Sequence, residues 1–464
     1  MKAFNISYSH KRLHIFVLIL FVLKFILLFF TQTVDADAVT RTQLGHQMMM
    51  SPRFIYEGIW APIHIYLTGF SIWLYPDIIL SPRIMNVIFS CLTLYPIYLF
   101  LKREFTAKDA FIGVLIFALS PIIFRTSLIN LSETSFYLFL AIGMNLLSIS
   151  YKSFKSVITI LAGLCFSVAA GIRFEAWPLI LFLGLSLLLT KQWKNAFIFG
   201  LSASLFPLFW IIGNYYTYGD MFHSIRAVNV LEVTDWENLL RKVWFFPFML
   251  LISIGPFFLL SIIKGFTNFK KLISSPWILP PILFFLLLIY KSVTGTIVHH
   301  PRFIGTLTLL CLPLIFQENS WIKRISTNFN LQALGISLTL LLSIIYNTDG
   351  VSPLPLVKNK SVLDVTKTLE TELKKDQDIF IDFIGWDNSY YISLELYPIT
   401  KNQSIMDGYN SELQLKEKFD HFHNNLKTQY LILSINHKEW VYELNNVKLI
   451  FESPDMLVYK TNND

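Results

Sequence analysis

Long apolar runs dominate the chain, separated by short polar connections. A helix needs roughly 20 apolar residues to cross the ~30 Å hydrocarbon layer of a membrane. Runs of about that length occupy 13–31, 82–101, 109–126, 132–150, 155–171, 176–190, 195–213, 245–263, 276–293, 303–316 and 331–346. The pattern predicts an α-helical polytopic membrane protein with about eleven transmembrane helices, an odd count that puts the two termini on opposite sides. Leu13 to Thr31 is longer than the apolar core of a cleaved leader, and Ala36-Asp37-Ala38 makes a poor processing site, so the first run is read as an anchor.

Two parts fall outside these runs. Residues 32–81 form a long first outer loop in which His46 to Met50 and Ile63 to Tyr75 are predicted as interfacial helices, anchored by Trp60, Trp73 and Tyr75. From residue 361 charges and Asn rise. Short strand patterns at Asp378 to Phe383, Tyr430 to Ser434, Val447 to Ser453 and Met456 to Lys460 alternate with helical ones at Ser361 to Lys375 and Ser411 to Leu426. This alternation predicts a small C-terminal α/β domain with its own core. The expected division is a transmembrane module at 1–346, carrying the 32–81 loop, and a soluble α/β domain at 361–464.

Composition agrees and adds orientation. Hydrophobic residues make up 54 % of the 464 and charged ones 15 %, which excludes an ordinary soluble multidomain protein. Lys plus Arg number 38 against 31 for Asp plus Glu, and the excess sits in Lys2 to Arg12, Lys102 to Lys108, Lys152 to Lys155, Lys191 to Lys194, Lys264 to Lys271 and Lys323-Arg324. These are every second connection, as cytoplasmic loops should be, so the basic excess reads as membrane orientation and not as nucleic-acid binding. The amino terminus is then cytoplasmic, and 32–81, 126–131, 172–175, 214–244, 294–302 and the chain beyond 347 face the periplasm of a bacterial inner membrane. Cys91, Cys165 and Cys311 lie in apolar runs and form no metal or disulfide pattern.

The outward connections carry Asp35, Asp37, Arg41, His64, Arg125, Glu133, Arg173, Glu175, His299, His300 and Arg302. Ionisable groups at membrane depth are costly and by default mark a substrate or ion pathway. Each also has a plainer explanation. Asp35 and Asp37 could hold a divalent ion or supply a base, but Asp also caps helices. Arg173 and Glu175 could form an ion pair that seals a helix turn. His64, on an apolar stretch, reads as interfacial, and Lys24 as snorkelling from the first span. The turn residues Asp382, Trp386, Asp387 and Asn388 follow a strand, where α/β folds place ligand loops.

The order of these segments resembles a known family. Asp35-Ala-Asp37-Ala-Val-Thr-Arg41, then Gly58-Ile-Trp60-Ala-Pro62-Ile-His64-Ile-Tyr66, then Ser81-Pro82-Arg83-Ile-Met-Asn86, is similar to the polytopic C-type glycosyltransferases. Within them it resembles the protein O-mannosyltransferase and lipid A aminoarabinose transferase group. Leu131-Ser132-Glu133, Gly171-Ile-Arg173-Phe-Glu175-Ala-Trp177 and His300-Pro301-Arg302-Phe303 continue the resemblance, which covers roughly residues 10–316.

The resemblance implies a membrane glycosyltransferase that moves a sugar from a polyprenyl-phosphate donor to a glycan, lipid or protein acceptor on the outer face. It implies a required Asp in the first outer loop with a small residue eight positions on; Asp37 with Gly45 fits that register better than Asp35. Ala38 departs from the family, which carries Glu there. Asp37 is the candidate catalytic base, with Asp35 as its companion. Arg302, His300, His299 and Arg173 are candidates for the donor phosphate, and Glu133, Glu175 and Arg41 for other substrate contacts. No cofactor is firmly implied. A divalent metal stays open, since Asp35 and Asp37 alone make a poor site. The alternatives are a transporter or flippase of lipid-linked saccharide, against which stands the lack of duplicated halves, and a sensor or scaffold acting through its outer domain.

Overall fold

The structure, a computed structural model, describes residues 2–31, 35–56, 58, 60–153, 155–226, 239–257, 275–316, 329–348, 360–375, 377–406, 415–420, 429–442, 444 and 447–461. The chain divides into two units. The first comprises residues 1–26, 51–67 and 84–349, the second 27–50, 68–83 and 350–464. In chain order the helices are α1 (Lys2–Leu27), α2 (Ala36–Met50), α3 (Ile63–Leu74), α4 (Leu80–Glu104), α5 (Ala107–Leu119), α6 (Pro121–Thr126), α7 (Glu133–Ser153), α8 (Ser156–Ala170), α9 (Ala176–Leu189), α10 (Trp193–Ala203) and α11 (Leu205–Tyr218). They continue as α12 (Leu239–Ile254), α13 (Leu279–Val293), α14 (Ile304–Phe316), α15 (Phe329–Thr348), α16 (Lys360–Glu372) and α17 (Trp386–Leu396).

The eleven apolar runs are mainly helical over their described parts, and two of them are broken at prolines. The 109–126 run breaks between α5 and α6 because Pro121, lacking an N–H, cannot continue α5 and instead starts α6. The 195–213 run breaks at Ser204, and α10 and α11 meet at 40°. Pro207 is the cause: its ring excludes the bond back to Ala203, and the half-buried Phe206 N–H donates to Ser167 Oγ at 2.9 Å. Among the described residues α4 and α7 are long and apolar enough to cross a membrane, and the bent α10–α11 pair makes a third if it is one span. Large apolar side chains stay exposed along the helices, including Leu18 and Ile19, Leu181, Phe197, Ile344 and Ile345. Water would penalise that surface and lipid does not.

Lys24 does not snorkel. It is buried in the first unit, where Nζ donates to Ser90 Oγ at 3.1 Å and stands 5.3 Å from the Phe124 ring centre. Nor is His64 interfacial: it is fully buried, with Nδ1 3.1 Å from Ser135 Oγ.

The second unit contains a five-stranded sheet, with β1 (Ile379–Ile381), β2 (Gln403–Ile405), β3 (Tyr430–Ser434), β4 (Val447–Glu452) and β5 (Met456–Thr461) in the order β2-β1-β3-β5-β4. β1 runs parallel to β2 and β3, while β5 is antiparallel to β3 and β4. Alternate residues feed two cores. Ile379, Ile381, Ile432 and Val458 pack with Val365 and Leu369 of α16 and Ile392 of α17, while Phe380, Leu431 and Leu457 pack with Phe419 and Trp440. The expected helix at Ser411 to Leu426 is helical over residues 415–420, and its remainder lies outside the described residues. Trp386 opens α17 and is not part of a simple turn.

In the same unit α2 starts at Ala36, well before the expected His46. It crosses α3 at two glycines. A Cβ on Gly45 would lie 2.6 Å from Thr68 Cγ2, and one on Gly69 would lie 2.7 Å from the Gly45 carbonyl oxygen. The small residue eight positions after Asp37 is therefore a packing requirement. α2 also docks on α17, with Gln43 Nε2 donating to Ser393 Oγ at 2.9 Å and Gln47 Nε2 to Tyr397 Oη at 2.7 Å.

Candidate active site

Within the first unit, arginines from two separate connections converge on one carboxylate. Glu133 opens α7 and is almost fully buried. Arg173 lies in the tight turn between α8 and α9, which is pinned where Ile63 N donates to Gly171 O at 2.9 Å. The turn is close-packed at this glycine: a Cβ would lie 2.4 Å from Ile63 Cδ1 and 2.9 Å from Phe206 Cδ2, so both side chains would have to shift to admit one. Arg302 sits in the single 3-10 turn Pro301–Phe303 that precedes α14.

Arg173 makes four hydrogen bonds to three side chains. Its Nη1 donates to Glu133 Oε1 and, at 3.1 Å, to Ser132 Oγ; Nε donates to Glu175 Oε1 at 3.0 Å, and Nη2 to the same oxygen. Burial opposes its charge, yet Glu133 and Glu175 outweigh burial and hold its pKa above the ordinary arginine value. Glu133 Oε1 also stands 3.8 Å from Arg302 Nε. Both guanidiniums lie near the Phe303 ring, with centroid distances of 5.7 Å for Arg173 and 5.6 Å for Arg302. Tyr137 Oη donates to the Arg302 carbonyl at 3.4 Å. The two arginines thus differ: Arg173 is enclosed by two carboxylates at 8 % side-chain exposure, and Arg302 keeps 17 %.

The two histidines have separate surroundings. His300 Nδ1 accepts the Arg302 backbone N–H at 3.2 Å and so caps the turn that presents Arg302. His299 packs against Phe245 and Phe246, its Nε2 2.7 Å from Ser292 Oγ. Burial, followed by Lys242 and Arg241, lowers its pKa from the ordinary histidine value. Arg125 is half-buried on α6.

Asp35, Asp37 and Arg41 belong to the second unit. Asp35 Oδ1 accepts the Asp37 backbone N–H at 3.0 Å, which makes Asp35 the cap of α2. Asp37 is half-buried in the first turn of the helix, and Arg41 is buried one turn further on. The described residues contain no group of three His, Cys, Asp or Glu side chains able to hold a metal.

The sequence matches no family model and no curated protein. Its three-dimensional likeness is extensive. The crystal structure of ArnT from Cupriavidus metallidurans bound to undecaprenyl phosphate superposes with a TM-score of 0.68 over 97 % of this chain and 98 % of that one, at 13 % identity. The chain shares the fold of ArnT. The archaeal oligosaccharyltransferase AglB from Archaeoglobus fulgidus, in complex with an inhibitory peptide and a dolichol-phosphate, gives 0.57 over 92 % of this chain and 70 % of its own at 11 % identity. The Archaeoglobus fulgidus oligosaccharyltransferase complex with Zn and sulfate gives 0.55 over 95 % and 73 %, at 12 % identity. The likeness to ArnT, spanning both chains almost end to end, matches the C-type fold implied by the motifs.

Sequence reasoning assembled Glu133, Arg173, Glu175 and Arg302 from scattered motifs, and the fold brings these four together. It missed Ser132, Tyr137 and Phe303. Ser132 and Phe303 stand inside quoted motifs, whereas Tyr137 carries no signal beyond being a polar aromatic in an apolar run.

Proposed function

We propose that this protein transfers a sugar from a polyprenyl-phosphate carrier to a glycan, lipid or protein acceptor at the periplasmic face of a bacterial inner membrane. On this reading it crosses the membrane about eleven times, with a cytoplasmic amino terminus and a periplasmic C-terminal domain. One observation carries the proposal: the full-length fold shared with ArnT, a protein seen with undecaprenyl phosphate bound. The AglB complex with a dolichol-phosphate supports the same class of carrier. Neither neighbour favours a transporter or flippase.

In the proposed reaction an acceptor hydroxyl oxygen attacks the anomeric carbon, the bond from that carbon to the phosphate oxygen breaks, and the polyprenyl phosphate leaves with the electron pair. Asp37 takes the hydroxyl proton. Arg302 receives the negative charge developing on the phosphate, its planar fork suiting two phosphate oxygens. The partial exposure of Arg302, compared with the enclosed Arg173, supports that order of preference. Arg173 contributes field and fixes Glu133, His300 presents Arg302, and Glu175 and Arg41 remain candidates for sugar contacts. His299, held against Ser292, is the weakest phosphate candidate.

The test is a transfer assay with the full-length protein in nanodiscs, supplied with lipid-linked sugars and envelope material extracted from cells lacking it. Mass spectrometry should find free polyprenyl phosphate and a sugar-sized mass gain on an acceptor. Movement of intact lipid-linked sugar across proteoliposomes with no bond cleavage would contradict the proposal.

A further inference from the structure

The Glu133 cluster depends on a segment that proteins seldom bury. Residues 128–132 form an irregular connection between α6 and α7, and Leu128, Ile129, Asn130, Leu131 and Ser132 are all at most 5 % exposed. Buried irregular backbone must find partners for its polar groups. Asn86, fully buried within α4, supplies two of them, its Nδ2 donating to Ile129 O at 2.5 Å and to Leu131 O at 2.9 Å. The connection then delivers Ser132 and Glu133, whose side chains both accept from Arg173, and Glu133 lies beside Arg302. On the other flank His64 holds Ser135, whose hydroxyl donates to Ser132 O at 3.0 Å.

We propose that Asn86 is a positioning residue for the donor phosphate: by bridging the carbonyls of Ile129 and Leu131 it fixes the connection that sets Glu133, and through Glu133 the placement of Arg302. This rests on the reading of Arg302 as the phosphate contact. An amide is suited to the task because one nitrogen offers two N–H donors to two neighbouring carbonyls. Leucine has similar volume and no donor, and Asp would set an acceptor against two acceptors.

The test measures binding of undecaprenyl phosphate to the full-length protein in nanodiscs, alongside Tm. Asn86→Leu should weaken binding about tenfold, roughly the loss of one well-made hydrogen bond to a cation cluster. The control is Asn195→Leu. Asn195 belongs to a buried polar group with Ser150 and Thr159 at the far end of α7, about 25 Å from Glu133 at 1.5 Å per residue. That variant should lower Tm comparably and leave binding unchanged, a separation that a merely structural role for Asn86 would not produce. Should Asn86→Leu fail to accumulate, Asn86→Ser, which keeps one donor, is expected to lose about threefold. Wild-type binding in the Asn86 variants together with weakened binding in Arg302→Gln would overturn the role of Asn86 alone. Wild-type binding in all of them would overturn that role and the phosphate reading together. Equal loss of binding in Asn195→Leu would also overturn the proposal.

Discussion

Asp35 Oδ1 accepts the backbone N–H of Asp37 at 3.0 Å, so one of the two neighbouring carboxylates caps α2 while the other stands in its first turn. Asp35 spends its side chain on starting α2. Asn caps a helix as well as Asp does, so Asp35→Asn should keep most transfer activity, whereas Asp35→Ala should cost about 1 kcal/mol of stability. Asp37→Asn should abolish transfer with unchanged abundance and Tm. Parallel activity and thermal-melt measurements separate these outcomes, and equal activity loss in Asp35→Asn and Asp37→Asn would contradict the assignment.

The cluster around Glu133 should divide into a stability half and a donor half. Arg173 is buried between Glu133 and Glu175, so removing Glu133 leaves one carboxylate for the two guanidiniums, an effect expected near the lower end of the about 3–5 kcal/mol of a broken buried pair. Glu133→Gln should therefore lower Tm strongly in detergent. Arg302→Lys should leave Tm nearly unchanged and raise the KM for the lipid-linked donor, because an ammonium cannot reproduce the bidentate fork. Tm losses of the same size in both would argue against this division.

Gly45 is predicted to resist substitution for reasons of packing. Gly45→Ala places a methyl 2.6 Å from Thr68 Cγ2 and 3.0 Å from Gly69 N, where backbone cannot readily yield. A loss of about 1–3 kcal/mol is expected, visible as a lower Tm. An unchanged melt would mean that α2 and α3 are not in such close contact.

Burial, assisted by Lys401, holds the imidazole of His46 below its ordinary pKa. The neutral form is the one the folded state prefers. Stability from this residue is complete above the unfolded value of about 6.5 and declines as pH falls through 6.5 towards the lower folded value. Tm measured between pH 8 and pH 5 should fall less steeply in His46→Gln than in the parent protein. Identical slopes would remove His46 from the acid response.

The sequence was most informative where chemistry and period coincide. The apolar runs mark helices over most of their described residues, and Glu133, Arg173 and Arg302 stand out because charge at membrane depth is expensive. The breaks at Ser120-Pro121 and Ser204 carried local proline signals that hydropathy averages away. β2 escaped because Gln403–Ile405 is three residues long and not distinctly apolar. Lys24 and His64 were misjudged for one reason: a single polar side chain in an apolar helix looks the same whether it turns towards the interface or, as here, towards Ser90 or Ser135 inside the first unit. Asn86 lay in plain view within Ser81 to Asn86, but its two acceptors sit more than forty residues away and only the fold connects them.

The central claim is sugar transfer from a polyprenyl phosphate, and mass spectrometry of cell-envelope glycans, lipids and proteins tests it most directly. A deletion strain should lose one defined sugar modification and accumulate its lipid-linked precursor. The wild-type gene should reverse both changes, and the Asp37→Asn gene should reverse neither. An envelope that is unchanged by the deletion, or is fully restored by the Asp37→Asn gene, would contradict the account.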